Sequence, residues 1–295
     1  MLFATGAVAG GGGLTVLTPD AAYPEGPLVD GGSLYYAEMG NDRVMRFDGA
    51  ENHVVWGRPG CGPTSVARGG DGTLIVLCHP QWLLARITPE GKTVELIEED
   101  ANGQRFINPN ASVNDGKGGI YFSASGYFAP TASTQGAVLY LAADGRLSRV
   151  AEGIHYSNGV ALSPDGGTLY VSEHLGRRVL AYDVAPDGSL ANRRTFVELD
   201  AIEPVEPGRP WEAGPDGLAM DREGHLFIAE YGAGHVLVVD ASAKLVATVP
   251  VPERFVTAPV LSADEATLYI AAPGTRGPPY EGKVYATPNP VAGRK

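Results

Sequence analysis

Residues 157–173 read "SNGVALSPDGGTLYVSE". A polar residue, Asn158, opens a short apolar run; a turn of Ser, Pro, Asp and Gly follows, and the next run is rich in β-branched and aromatic residues. Two short runs joined by residues that tolerate a tight turn make a β-hairpin pattern. The pattern returns at 215–230 as "PDGLAMDREGHLFIAE", with Asp216 in the place of Asn158. Further out it recurs as "EGPLVDGGSLYYAE" (25–38), "PTSVARGGDGTLIVLC" (63–78), "PNASVNDGKGGIYFSA" (109–124) and "TAPVLSADEATLYIAA" (257–272). The spacing averages about 45 residues, enough for one four-stranded propeller blade. Third strands are legible after several hairpins, as in "RVMRFD", "RVLAYD" and "HVLVVD", and "GKTVELIE" and "RLSRVAEG" read as outer fourth strands. No helical periodicity of useful length interrupts them.

The sequence therefore predicts an all-β fold, a six-bladed β-propeller with four antiparallel strands per blade. One domain is expected over 1–295, with residues 1–13 a flexible lead. The segment "LTVLTP" (14–19) is expected to supply the outer strand of the last blade and close the ring.

Composition narrows the function. With 34 acidic against 22 basic residues the net charge is −12. Such a chain repels phosphate backbones, and no basic cluster offsets this, so nucleic acid is not an expected partner. No apolar run reaches the roughly 18–20 residues that span a bilayer. The start, "MLFATGAVAGGGGLTVL", has no Lys or Arg and is broken by glycines, so it reads as a cytoplasmic start and not a signal peptide. The expected state is a monomer or weak homo-oligomer. Cys61 and Cys78 flank a predicted hairpin and are expected as two buried thiols, with a single bridge the alternative.

Aligning the six hairpins assigns one residue per blade to the start of the innermost strand: Glu25, Thr64, Asn110, Asn158, Asp216 and Thr257. Inner strands surround the central channel, so these side chains converge on its axis at one mouth. Two carboxylates, two carboxamides and two hydroxyls form a hard oxygen site suited to Ca²⁺, Mg²⁺ or Mn²⁺. A single Asn or Asp before Gly is an ordinary turn residue. Four such oxygen groups at one structural position point instead to a cation. Glu38, Glu173 and Glu230 stand at second-strand ends that return to the same mouth, and are expected to orient ligands or water from behind.

"EGP", "PNA" before "GGIYF", "SNGVALSPDGGTLYVSE" and "GPDGLAMDREGHLFIAE" resemble the senescence marker protein/gluconolactonase-like family over essentially the whole chain. That family includes regucalcin-type sugar lactonases, drug-responsive lactonases and diisopropylfluorophosphatase. The resemblance implies a six-bladed propeller with one catalytic divalent cation; the expected ion is Ca²⁺, with Mg²⁺, Mn²⁺ or Zn²⁺ the alternatives. Residues matching Glu25, Asn158 and Asp216 hold it, with Asn110 beside or on it, and lactone hydrolysis is the common activity. Two departures concern the substrate. Regucalcin-type members carry Arg where this chain has Asn108, and many relatives read "PND" where this chain has "PNA", with Ala111.

The expected function is a divalent-metal-dependent hydrolase that opens a sugar, alkyl or aromatic lactone with an activated water at the channel mouth. The cation polarises the carbonyl and lowers the pKa of water. Asp216 is the expected base, with direct carboxylate attack the alternative. Mouth loops offer Asn108, Asn110, Tyr127, His155, Trp211 and Arg276 for substrate contacts. His174, next to Glu173, reads as an ordinary loop histidine, and His53, His225 and His235 receive no role. The competing readings are a phosphotriesterase of the diisopropylfluorophosphatase kind and a non-catalytic calcium-binding or interaction propeller. A serine triad is disfavoured, since no Gly-x-Ser-x-Gly elbow is present.

Overall fold

A computed structural model describes residues 13–204 and 207–293. The expected N-terminal lead, apart from Gly13, lies outside the described residues. Six four-stranded antiparallel sheets stand around a central axis. Blade 1 runs Pro24–Asp30, Ser33–Glu38, Arg43–Phe47 and Asn52–Gly57, from the axis outward. The inner strands of blades 2 to 5 are Pro63–Arg68, Pro109–Asn114, Ser157–Leu162 and Gly214–Met220. Blade 6 is built from Ala258–Leu261, Thr267–Pro273 and Gly282–Pro288, and Thr15–Thr18 pairs with the last of these. The expected ring closure is thus present: the first strand and the last blade share one sheet.

The strands differ by position for a reason visible in their composition. Second strands such as Leu74–Cys78 ("LIVLC") and Ile120–Ala124 ("IYFSA") are buried at every residue, because neighbouring blades cover both faces. Outer strands such as Thr93–Ile97 ("TVELI") are mostly exposed and carry polar residues. Among the described residues the core divides into six clusters, each bridging two adjacent blades. Tyr35, Trp56, Val66 and Val76 fill one between blades 1 and 2, and Val179, Leu199, Ile228 and Leu237 fill another between blades 4 and 5.

The small residue after each ring position has its explanation here. Adjacent inner strands approach so closely that a Cβ at Gly159 would run into the Asp216 carbonyl oxygen, and one at Gly217 into that of Thr257. "NG" and "DG" are therefore blade-packing signals as well as turn chemistry.

Cys61 and Cys78 are bonded to each other, which corrects the expectation of two thiols. Cys78 lies opposite Pro63 in the sheet, and the loop before Pro63 folds back to bring Cys61 to a Cα–Cα distance of 4.5 Å. Among the described residues no helix is long and apolar enough to cross a membrane.

Candidate metal centre and substrate cavity

Glu25, Asn110, Asn158 and Asp216 are all buried, and together they line a cavity of about 240 Å³ at one mouth of the channel. The hydroxyls at the other two ring positions hold the ring together. Thr64 Oγ1 donates to Pro109 O of blade 3 at 3.2 Å, and Thr257 Oγ1 donates to Pro24 O of blade 1 at 2.9 Å. Thr64 still lines the cavity.

Asn158 shows how an amide is aimed. His174 Nε2 lies 2.8 Å from Glu212 O, and a carbonyl only accepts, so Nε2 carries the proton and Nδ1 the lone pair. Burial pulls His174 down to about 4, which keeps it neutral near pH 7. Its Nδ1 therefore accepts from Asn158 Nδ2, at 3.3 Å. This fixes the amide with Oδ1 on the other side, where it is buried with no hydrogen-bond partner among the described residues. Asn110 is set similarly: its Nδ2 donates to Ser125 Oγ at 3.1 Å, which leaves Oδ1 free to face the cavity.

The two carboxylates are electrostatically unresolved by themselves. Burial pushes Glu25 well above the usual carboxylate range, and the nearby Asp216 charge pushes it further. Burial also raises Asp216, only partly offset by Asn158 and the backbone N–H of Gly217. Two buried acids facing each other, an orphaned amide oxygen and a second aimed amide oxygen form a donor set that fits one hard divalent cation.

The candidates behind the ring occupy different places. Glu38, Glu173 and Glu230 are nearly inaccessible, and among the described residues they bond to other groups than the four ring residues. Glu38 is paired with Arg43, Glu173 with Arg178 and Arg193, and Glu230 with Arg177 and His235. The sheet register accounts for this. They lie opposite Pro24, Ser157 and Pro215, each one residue before a ring position, and the pleat turns them to the other face. The following residue in each strand end turns inward instead. Met39, His79, His174 and Tyr231 line the cavity, and Ser125 holds Asn110.

Of the expected substrate contacts, Arg276 lines the cavity, with its guanidinium on Glu212 at 3.1 Å and over the Trp211 ring at 6.0 Å. Trp211 itself, 46% exposed, stands at the rim against Phe128, with ring centroids 5.0 Å apart. Tyr127 is 50% exposed and does not line the cavity. Neither do Asn108 and His155. Asn108 accepts from Trp82 Nε1 at 2.9 Å and donates to Gly126 O at 2.8 Å, so its amide is committed to the protein. The His155 backbone N–H donates to Glu173 at 2.9 Å. Sequence reading missed Tyr23, His79 and Tyr231. The two tyrosine hydroxyls meet at 3.1 Å and close the cavity beside blade 6, which supplies no carboxylate or amide to the ring.

Glu203, Glu230 and His235 form a second group with the spacing of a metal site. Cations of the chain already occupy it. Arg177 reaches Glu203 at 3.3 Å and Glu230 at 3.0 Å. Burial alone would lower His235, but its hydrogen bonds to both glutamates outweigh that and push it up to about 9, so the imidazole is a cation paired with the two carboxylates.

A six-bladed propeller whose inner strands converge oxygen donors on one axial cavity is the class of protein that this fold and site define. The chain belongs to the SMP-30/Gluconolactonase/LRE-like family, whose model matches residues 23–273. It is 30% identical over 173 residues to the lactonase drp35 of Staphylococcus aureus (strain bovine RF122 / ET3-1), covering 57% of this chain and 48% of that one. It is 27% identical over 189 residues to the gluconolactonase of Zymomonas mobilis, covering 61% and 52%. The chain thus spans about half the length of these curated relatives. Among solved structures it is similar to a gluconolactonase of Xanthomonas campestris, with a TM-score of 0.77 and 26% identity over 96% of this chain and 91% of that one.

Proposed function

We propose that this protein is a divalent-cation-dependent lactonase. The observation that carries the reading is the buried Oδ1 of Asn158, without a hydrogen-bond partner among the described residues, on a residue that lines the same cavity as Glu25 and Asp216. Such a set is costly without a cation and stable with one. The family membership and the gluconolactonase and lactonase names of its relatives support the substrate class.

Glu25, Asn158 and Asp216 hold the cation, with Asn110 completing the set, and Ca²⁺ suits the all-oxygen donors best. When bound, the cation supplies a Lewis acid that polarises a carbonyl and makes water more acidic. Asp216 accepts the proton of the attacking water as its oxygen bonds to the carbonyl carbon. The ring C–O bond then breaks, and the ring oxygen takes up a proton to leave a hydroxy acid. The tyrosines around the mouth exclude bulk water from the reacting atoms.

The test is lactone hydrolysis followed by proton release, with protein stripped by chelator and resupplied with Ca²⁺, Mg²⁺, Mn²⁺ or Zn²⁺. Activity is expected to vanish on stripping and return with one cation, and Asp216→Asn is expected to lose at least about 100-fold in kcat, as loss of a general base does. Full turnover by Asp216→Asn would remove it as the base. Tight binding of one cation without hydrolysis of any lactone would favour an organophosphate substrate or a binding propeller.

A further inference from the structure

Two histidines line the cavity, and they differ in what they leave open. Both nitrogens of His174 are engaged, by Asn158 and Glu212. His79 Nδ1 lies 3.2 Å from Pro109 O, so it carries the proton and Nε2 carries the lone pair. Nε2 has no hydrogen-bond partner among the described residues. Burial pulls His79 down to about 4, so near pH 7 it is a neutral acceptor in a fixed tautomer. The ring is also firmly placed. The preceding residue is in the disulfide, and the His79 backbone N–H donates to Gly62 O at 3.3 Å.

The neighbours of His79 repeat this polarity. Thr64 donates its hydroxyl proton to the same Pro109 carbonyl, so only lone pairs remain for the cavity. Asn110, which also lines the cavity, has an amide N–H on Ser125, which leaves its oxygen as the free acceptor. The wall built by blades 2 and 3 therefore presents acceptors whose own protons are tied to the protein. Across the ring, Tyr156, Tyr231 and Phe128 cover the cavity with aromatic surface. Blade 2 stands opposite blade 5 in the ring of inner strands, so His79 and Asp216 line the cavity from opposite sides.

We infer that His79 is a specificity-determining residue whose Nε2 accepts a hydroxyl of the substrate, which selects hydroxyl-bearing lactones over the same ring without hydroxyls. This rests on the lactonase reading for the word lactone but not for the hydroxyl. An aimed acceptor left facing an apolar substrate goes unpaired, and that cost is what discriminates.

The experiment compares glucono-δ-lactone with δ-valerolactone, one ring with and without hydroxyls, in the cation-loaded wild type, His79→Leu and His79→Gln. Binding of the corresponding ring-opened acids, gluconate and valerate, is measured alongside by calorimetry. The preference of wild type for the hydroxylated lactone is expected to fall about 10- to 100-fold in His79→Leu, mainly through KM, consistent with one lost hydrogen bond. His79→Gln, which restores an acceptor, is expected to recover part of it. Cation affinity measured on the same samples reports that the leucine variant is folded. An unchanged preference overturns the inference. So does an equal loss of kcat on both lactones with KM unchanged, which would make His79 a proton-transfer group. If wild type opens neither lactone yet His79→Leu loses its selectivity for gluconate over valerate, the lactonase reading fails and the hydroxyl site stands. If gluconate and valerate binding are also indistinguishable, both fail.

Discussion

The Asn158 carboxamide gives its nitrogen to a neutral imidazole and to Asp216, its oxygen has no hydrogen-bond partner among the described residues, and the His174 tautomer decides which amide atom meets the imidazole. Replacing His174 by Ala removes one of the two side-chain acceptors of the Asn158 amide and leaves only Asp216 to hold it. Affinity for Ca²⁺ in a calorimetric titration is expected to fall roughly 10-fold or more, as for other residues that orient a ligand from behind. Unchanged affinity would show that backbone packing alone aims Asn158. The ring residues were legible because each repeat places one polar side chain before a small one, and the small residue is demanded by the next blade's backbone. Their supports were not. Reading placed the second-strand ends at Glu38, Glu173 and Glu230, whereas Met39, His174 and Tyr231, one residue later, face inward. In a strand with a period of two, a one-residue offset selects the opposite face. No feature of a lone sequence fixes the register that finely.

The hairpins themselves were readable from alternation and turn chemistry, and so was the closing strand, because these are local patterns. Blade 2 shows where locality ends. Whether Cys61 meets Cys78 depends on the path of "GRPGCG" back over the sheet, where Asp42 of blade 1 accepts the backbone N–H groups of Gly60 at 2.8 Å and Gly62 at 2.7 Å. That anchor comes from a different blade, so the spacing of the two cysteines could not disclose it. The bridge closes a separation of 17 residues. By loop-closure entropy it contributes about 3 kcal/mol. The Cys61→Ser/Cys78→Ser protein is expected to melt lower by on the order of 5 °C, and wild type in reductant should approach the same value. Coincident melting of oxidised and reduced wild type would show that the anchoring by Asp42 suffices.

Across the whole ring, blades 1, 3, 4 and 5 each place one oxygen-bearing side chain on the cavity, which exists only when the propeller is closed. Closure brings Glu25 and Asp216 together from blades far apart in the chain, and their repulsion opposes the fold unless a cation lies between them. This makes the sign of a substitution depend on metal. In chelator-stripped protein, Glu25→Gln removes a buried acid whose ionisation the fold opposes, and is expected to raise stability by on the order of 1–2 kcal/mol. In the loaded protein the same change removes a ligand, so the stabilisation gained on adding Ca²⁺, set by affinity and concentration, is expected to shrink. Thermal melts of wild type and Glu25→Gln, stripped and with saturating Ca²⁺, therefore should cross, the variant higher when stripped and lower when loaded. If Glu25→Gln melts lower in both conditions, the glutamate is held by the fold through contacts other than a cation. If it melts higher in both, Glu25 does not serve as a ligand, and the cation must rest on Asn110, Asn158 and Asp216.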